Sequence, residues 1–89
     1  YADITLDPAE HKTMQRDAEV DLTLKEFMVL RYLMENKGKA VSRQRLGEML
    51  YGWDVEIGSN ALEVHIHNLR KKLGQQLIRT VRGLGYKLG

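Results

Sequence analysis

Cysteine is absent from the 89 residues, which excludes a disulfide framework, a thiolate metal site and a cysteine nucleophile. Such a chain suits a reducing compartment. Proline occurs only once and no long polar tract interrupts the sequence, so intrinsic disorder is not indicated. No apolar run approaches the roughly 20 residues of a membrane span, and no signal peptide is visible. These absences predict an ordinary soluble globular domain with no membrane partner.

Length and composition indicate one domain. At 89 residues, with 43% hydrophobic and 29% charged residues, the chain has material for one hydrophobic core and none for a second. Because the first residue is Tyr1 rather than methionine, we expect the chain to be part of a longer protein.

Carboxylates are missing from the C-terminal part of the chain. After Glu63 no aspartate or glutamate occurs, whereas six cations follow: Arg70, Lys71, Lys72, Arg79, Arg82 and Lys87. Residues 1–41 have the opposite balance, with six cations against eight acids. A small domain that separates its charge in this way presents a positive side, for which DNA, RNA and anionic membranes are the usual partners. The alternative is a basic segment that only aids solubility.

The stretch SNALEVHIHNLRKKL, residues 59–73, has the spacing of an amphipathic helix. Four apolar residues fall on one stripe: Leu62, Ile66, Leu69 and Leu73. The opposite face contains no carboxylate and consists of Asn60, Val64, His67, Asn68 and Lys71. Amides and cations bind base edges and phosphates, and a valine can contact a thymine methyl group. The pattern favours a recognition helix, although a plain packing helix is the commoner source of such periodicity.

A scaffold helix is predicted before it. Thr23 and Glu26 have the T-x-x-E spacing of a capping box, in which each side chain binds the backbone N–H of the other residue. The apolar stripe that follows ends before Gly38, the expected left-handed residue.

A second helix is predicted from Arg43 to Tyr51, with Ser42 as its cap. Arg43 and Arg45 lie in the first turn, where the helix dipole disfavours cations. Their placement indicates a DNA phosphate, with solvated arginines as the alternative.

Apolar and polar residues alternate in short segments of residues 1–22, and this pattern predicts a small antiparallel sheet of three strands. The second strand, residues 11–16, turns either Thr13 or Met14 inward. His11 is expected to be an exposed strand residue.

The chain returns to β structure after the third helix. Apolar and polar residues alternate over residues 76–81, which predicts a strand. Arg82-Gly83-Leu84-Gly85 is expected to form a compact hairpin turn, and residues 86–88 form the returning strand. A basic hairpin directly after a candidate recognition helix is the arrangement of a wing, and an arginine at its tip suits a narrow minor groove.

Residues 52–58, GWDVEIG, join the second and third helices. Trp53 either packs onto the core or contacts a partner protein.

This order of elements resembles the winged helix-turn-helix effector domain of OmpR/PhoB-type response regulators. The resemblance rests on LTLKEFMVL at residues 22–30, LEVHIHNLRKKLG at residues 62–74 and IRTVRGLGYKL at residues 78–88. YGWD at residues 51–54 and HIHNLR at residues 65–70 look closest to the PmrA/QseB branch.

The resemblance implies an α+β fold with an N-terminal antiparallel β-sheet of four strands, a three-helix core and a C-terminal β-hairpin wing. It implies that the third helix enters the major groove of DNA, through Asn60, Val64, His65, His67, Asn68, Arg70 and Lys71. Phosphate contacts are expected from the second helix, through Ser42, Arg43 and Arg45. Wing contacts are expected from Thr80, Arg82, Gly83 and Tyr86, with Arg82 in the minor groove. Some family members have two adjacent arginines where this chain has His67-Asn68, so the operator sequence does not carry over.

The resemblance also implies partners. Double-stranded DNA is expected as direct-repeat half-sites, bound by a tandem homodimer that forms on DNA or through a receiver domain preceding Tyr1. A cognate sensor kinase would act on that receiver domain, in a two-component phosphorelay of a bacterial cytoplasm. The loop at Trp53, Asp54 and Glu56 would face RNA polymerase holoenzyme.

Two other function classes are weighed against this hypothesis. An enzyme is disfavoured because no triad, P-loop or nucleophile elbow occurs, and no cofactor is expected. Glu63, His65 and His67 do not predict a metal site, since alternate residues on a helix point about 200° apart. A protein-binding module is disfavoured by the carboxylate-free face, and RNA by the lack of stacking aromatic residues on it.

Overall fold

The structure is a computed structural model that describes residues 3–52 and 60–88. Three strands are followed by three helices and a hairpin, which confirms the predicted winged helix-turn-helix order. The elements are β1 (Ile4–Asp7), β2 (Lys12–Gln15), β3 (Ala18–Val20), α1 (Leu24–Glu35), α2 (Arg43–Tyr51), α3 (Ala61–Leu73), β4 (Ile78–Val81) and β5 (Gly85–Leu88).

The N-terminal sheet is antiparallel in the order β1-β2-β3. Its described residues form three strands, as the alternation predicted, and the four strands implied by the resemblance are not found among them. Thr13 is the inward residue of β2, with 1% of its surface exposed, whereas Met14 is half-buried. Arg16 and Asp17 both have positive φ, which suits a two-residue hairpin turn.

His11 is exposed but does not lie in a strand, so that part of the prediction was wrong. It adopts a φ of 54° in the turn before β2, and its ring centroid is 5.4 Å from that of Phe27. Histidine is among the non-glycine residues that tolerate this left-handed conformation.

The capping box of α1 is confirmed. Glu26 N–H donates to Thr23 Oγ1 at 3.2 Å, and Thr23 N–H donates to Glu26 Oε1 at 3.0 Å. Gly38 has the expected positive φ of 83°, and its N–H bonds the Leu88 carbonyl at 3.1 Å.

One hydrophobic core lies between the helices and both sheets. The four stripe residues of α3 are all buried, at 0–7% exposure, and they pack with Leu30, Leu33, Leu46, Ile78 and Leu88. Burying this stripe turns the opposite side of α3 to solvent. None of the helices in the described ranges has the length and apolar character needed to cross a membrane.

The wing, residues 78–88, is attached to the segment before α2. Val41 N–H donates to the Tyr86 carbonyl at 2.8 Å, and Tyr86 N–H donates to the Val41 carbonyl at 3.0 Å. β5 therefore lies between Val41 and β4, which leaves β4 as the outer strand. Gly85 allows this approach, because a Cβ there would overlap the Val41 carbonyl oxygen.

Candidate nucleic-acid interface

The side of α3 opposite the buried stripe presents four exposed residues. Asn60, Val64, His67 and Lys71 are all exposed, and their spacing repeats that of the buried stripe displaced by two residues, about 200° around the helix. Val64 exposes 47% of its surface, although it is apolar. Asn60 is the N-cap of α3, yet its amide makes no capping bond within the described residues, so it can bind an external partner. The stripe combines an amide, a methyl-bearing group, an imidazole and an ammonium, with no carboxylate.

Three other predicted contacts on α3 lie against other parts of the domain. The first is His65, which is half-buried, with Nε2 2.8 Å from the Tyr51 hydroxyl. The two rings are nearly parallel, with centroids 6.4 Å apart. Lys25 completes this cluster, because its ammonium lies 4.5 Å from the centroid of the Tyr51 ring and donates to the Leu50 carbonyl at 2.7 Å. His65 thus joins the start of α3 to the end of α2.

The second is Asn68, which is half-buried and lies beside Glu26 of α1. Glu26 is only 2% exposed and accepts a bond of 2.7 Å from Lys72, one turn further along α3. Burial raises the pKa of the Glu26 carboxyl, but the hydrogen bonds from Lys72 and from the Thr23 N–H outweigh it, so the net pKa is lowered. The capping glutamate of α1 therefore also anchors α3.

The third is Arg70, which extends toward the wing. Its Nε and Nη2 both donate to the Ile78 carbonyl, at 3.0 and 2.8 Å, and Nη2 also donates to Thr80 Oγ1 at 2.9 Å. Thr80, a predicted backbone contact of the wing, is exposed and is the acceptor of this bond.

A second cluster joins α2, α3 and β5. Arg43 binds Glu63 with two hydrogen bonds, Nε to Oε2 at 2.7 Å and Nη2 to Oε1 at 2.9 Å. This pairing lowers the pKa of Glu63 and raises that of Arg43. Tyr86 is half-buried beside Glu63, and burial together with the Glu63 charge raises the pKa of its hydroxyl. The cluster neutralises Glu63, the single carboxylate of α3.

The remaining predicted phosphate contacts of α2 differ in accessibility. Ser42 caps the helix as predicted, since its Oγ accepts from the Arg45 N–H at 3.0 Å. The Arg45 side chain is exposed and has no partner within the described ranges. Of the two arginines in this turn, Arg45 is the one that can offer its whole guanidinium to a phosphate.

The wing tip lies in a turn closed by a 2.9 Å bond from Leu84 N–H to the Val81 carbonyl. Arg82 is exposed there, and Gly83 has the positive φ of 79° that the turn requires. Leu84 lies beside them and is 63% exposed, more than any other large hydrophobic residue in the described part of the chain. The wing therefore presents a cation and an apolar group together.

Two further expectations concern the loop before α3 and metal binding. Trp53, Asp54 and Glu56, predicted to face RNA polymerase, lie outside the described residues. Within residues 3–52 and 60–88, no three histidine, aspartate or glutamate side chains are grouped for a metal ion.

Sequence reasoning missed the partners Glu63, Lys72 and Tyr51. Glu63 and Arg43 are 20 residues apart, and Glu26 and Lys72 are 46 apart, so no local spacing predicts either pair. The only signal was indirect: a buried carboxylate in a capping box needs a cation, and α3 has several.

Comparisons with known proteins agree on one family. Residues 17–88 match the family model described as "Transcriptional regulatory protein, C terminal". The chain is 51% identical to the response regulator protein PmrA of Pseudomonas aeruginosa over 86 residues, which cover 97% of the chain and 39% of that protein. It is 45% identical to the transcriptional regulatory protein QseB of Escherichia coli O157:H7, over 100% of the chain and 41% of that protein. The chain thus spans about two-fifths of the length of these relatives.

Solved structures give the same answer. The DNA-binding domain of Klebsiella pneumoniae RstA, in complex with the RstA box, has a TM-score of 0.89 and 29% identity, covering 100% of this chain and 93% of that one. The DNA-binding domain of CpxR from E. coli has a TM-score of 0.88 and 30% identity, covering 98% of this chain and 90% of that one. The homologues are transcription factors and not enzymes, which removes the enzyme alternative. The chain belongs to the C-terminal family of transcriptional regulatory proteins, the winged helix-turn-helix DNA-binding domains of OmpR/PhoB-type response regulators.

Proposed function

We propose that this domain binds duplex DNA in a sequence-specific manner, with α3 in the major groove and Arg82 of the wing in the minor groove. The observation that carries the proposal is the exposed, carboxylate-free stripe of α3, Asn60, Val64, His67 and Lys71. The RstA domain with which this chain superposes was solved bound to its DNA box, and that supports duplex DNA as the ligand.

The exposed stripe divides between base and phosphate contacts. Asn60 and His67 have donors and acceptors for base edges, and Val64 offers a surface to a thymine methyl group. Lys71 and Arg45 are exposed cations suited to phosphates on either side of the groove. Asn68 is half-buried beside Glu26, so it offers only part of its amide to a base edge.

Arg82 and Leu84 form the minor-groove contact. A narrow A/T-rich groove has an enhanced negative potential that attracts arginine. Leu84 is exposed beside it. Proteins that bind the minor groove frequently insert apolar side chains between base steps, and Leu84 is suited to this role.

In the full-length protein we propose a receiver domain before this segment, controlled by a sensor kinase, and a tandem homodimer on direct repeats. The residues Trp53, Asp54 and Glu56 contact RNA polymerase in this proposal, and the protein acts in the bacterial cytoplasm. The share of the curated relatives that this chain leaves uncovered supports a further domain.

Fluorescence anisotropy with labelled duplexes tests the DNA contacts. Binding should weaken steeply with salt, and Lys71→Ala should reduce the slope of log K against log salt by about 0.9, the value for one phosphate contact on B-DNA. Arg82→Ala should weaken binding most on duplexes with an A/T-rich flank.

Arg31→Ala is the matched control, because it also removes one exposed cation but lies on α1, paired with Glu35 at 3.4 Å. Its salt slope should equal that of the wild type. If Lys71→Ala and Arg31→Ala gave the same slope, the assignment of the α3 stripe to DNA would fail.

A further inference from the structure

The outer strand of the wing, β4, is held by a side chain and not by another strand. β5 pairs with β4 on one side and with Val41 on the other, and no strand of the described residues pairs with the outer edge of β4. Arg70 donates to Ile78 and Thr80 of this strand through three hydrogen bonds of 2.8–3.0 Å. The recognition helix thus satisfies one backbone acceptor, the Ile78 carbonyl, at an edge that no strand of the described residues covers.

The Arg70 bonds depend on the shape of the guanidinium group. Two nitrogens of the planar fork converge on one carbonyl, and one of them also reaches a hydroxyl two residues further along β4. An ammonium cannot reproduce this arrangement, because it is a point charge at the end of a flexible stem. The Ile78 side chain is 1% exposed, so the first bonded residue is fixed in the core. The second, Thr80, pairs with Tyr86 in the hairpin, next to the turn that contains Arg82.

The resemblance assigned Arg70 to DNA, and the geometry points to a different role. We propose that Arg70 is a positioning residue that fixes the wing relative to the recognition helix, so that the separation between the major-groove and minor-groove contacts determines specificity. This inference rests on the proposed function for its DNA consequence, but the fixing of the wing is a property of the free protein. Displacing an A/T-rich flank by two base pairs moves it by about 7 Å along the duplex and rotates it by roughly 70°. A wing held by three hydrogen bonds does not follow such a displacement.

The free protein is tested first, by NMR relaxation of the backbone amides in the wild type and in Arg70→Lys. The wild-type wing should have order parameters near 0.85, typical of rigid backbone, and the variant should fall toward about 0.6 for residues 81–85 with the amides of α1 unchanged. Thr80→Val removes only the hydroxyl acceptor at an exposed site and should give a smaller loss in the same residues, so the test stands even if Arg70→Lys folds poorly. Wing order equal to that of the wild type in both variants would overturn the proposal.

DNA binding is tested next, as the ratio of affinities for a duplex chosen for tight binding and for the same duplex with its A/T flank displaced by two base pairs. The wild type should prefer the first duplex by tenfold or more. Arg70→Lys should reduce this preference to about threefold or less, while its salt slope stays unchanged because the charge is retained. Lys71→Met is the matched control on the adjacent residue: it should keep the wild-type ratio and lose about 0.9 in slope. A wild type without a spacing preference, or an Arg70→Lys variant with the wild-type ratio, would overturn the inference. Absence of any duplex binding by the wild type would instead defeat the proposed function, and the NMR result would still decide the role of Arg70.

Discussion

Replacing Gly85 with alanine tests how the wing is attached to the domain. The Gly85 φ is +142°, a conformation that L-residues rarely adopt, and the new Cβ would overlap the Val41 carbonyl oxygen while lying 2.9 Å from Ser42 Cα. Relief requires the backbone to separate at the two hydrogen bonds between Val41 and Tyr86. The φ strain costs about 1–2 kcal/mol, and the two bonds contribute about 0.5–1.5 kcal/mol each. We expect the free energy of unfolding to fall by about 2–5 kcal/mol.

Gly83→Ala is the matched control, because Gly83 also has a positive φ, +79°, but its Cβ would meet no atom within 4 Å among the described residues. It should cost only the φ strain, about 1–2 kcal/mol. Urea unfolding followed by circular dichroism measures both variants, with equal m-values required for the comparison. Equal losses of stability in the two variants would refute the close approach of β5 to Val41.

Three further variants test the interior. Lys72→Met leaves the buried Glu26 carboxylate without its cation and should cost about 1.5–3 kcal/mol in urea unfolding, the usual contribution of a hydrogen bond to a charged group. Because the folded-state pKa of Glu26 is below its ordinary value near 4.5, its charged form stabilises the wild type above that pH and the contribution is lost as pH falls through the folded pKa. The stability difference between wild type and Glu26→Gln, which can keep the cap, should therefore shrink from pH 6 to pH 3; a constant difference would exclude the ionised carboxylate as its source. Thr13→Val should be neutral or raise stability by up to about 1 kcal/mol in thermal unfolding, since the buried Thr13 hydroxyl has no partner among the described residues; a loss above 1 kcal/mol would show that it is bonded.

Local patterns predicted most of the elements. The capping box at Thr23 and Glu26 fixed the start of α1 because both partners lie within one turn, and the apolar spacing of α3 identified every one of its buried residues. The alternation of residues 1–22 predicted three strands, which is the number that the described residues of this segment contain.

The candidate interface was less predictable, because exposure on a helix face depends on contacts that are distant in sequence. Arg70 and Lys72 both flank the predicted outer face, yet one bonds the wing and the other bonds a buried carboxylate of α1. His65 was expected at the DNA because of the family resemblance, whereas its side chain contacts Tyr51 of α2, 14 residues away in sequence. Charge and periodicity locate the positive surface, whereas the fold decides which of its side chains are available.

The intramolecular bonds of His65, Arg70 and Lys72 reduce the number of α3 side chains that the proposed interface can use for base contacts. The exposed stripe consists of Asn60, Val64, His67 and Lys71, and the proposed interface adds the half-buried Asn68 and the exposed cations Arg45 and Arg82. This set contains few charges, so base and methyl contacts should contribute substantially to discrimination, at about 1–3 kcal/mol for each good bidentate base contact.

Selection of bound duplexes from a random pool tests the central claim most directly. We expect enrichment of a short motif with an A/T-rich flank at one fixed separation, and loss of the flank preference with Arg82→Ala while the motif remains. A pool in which no sequence is enriched, although the folded domain is present in excess at low salt, would contradict sequence-specific DNA binding by this surface.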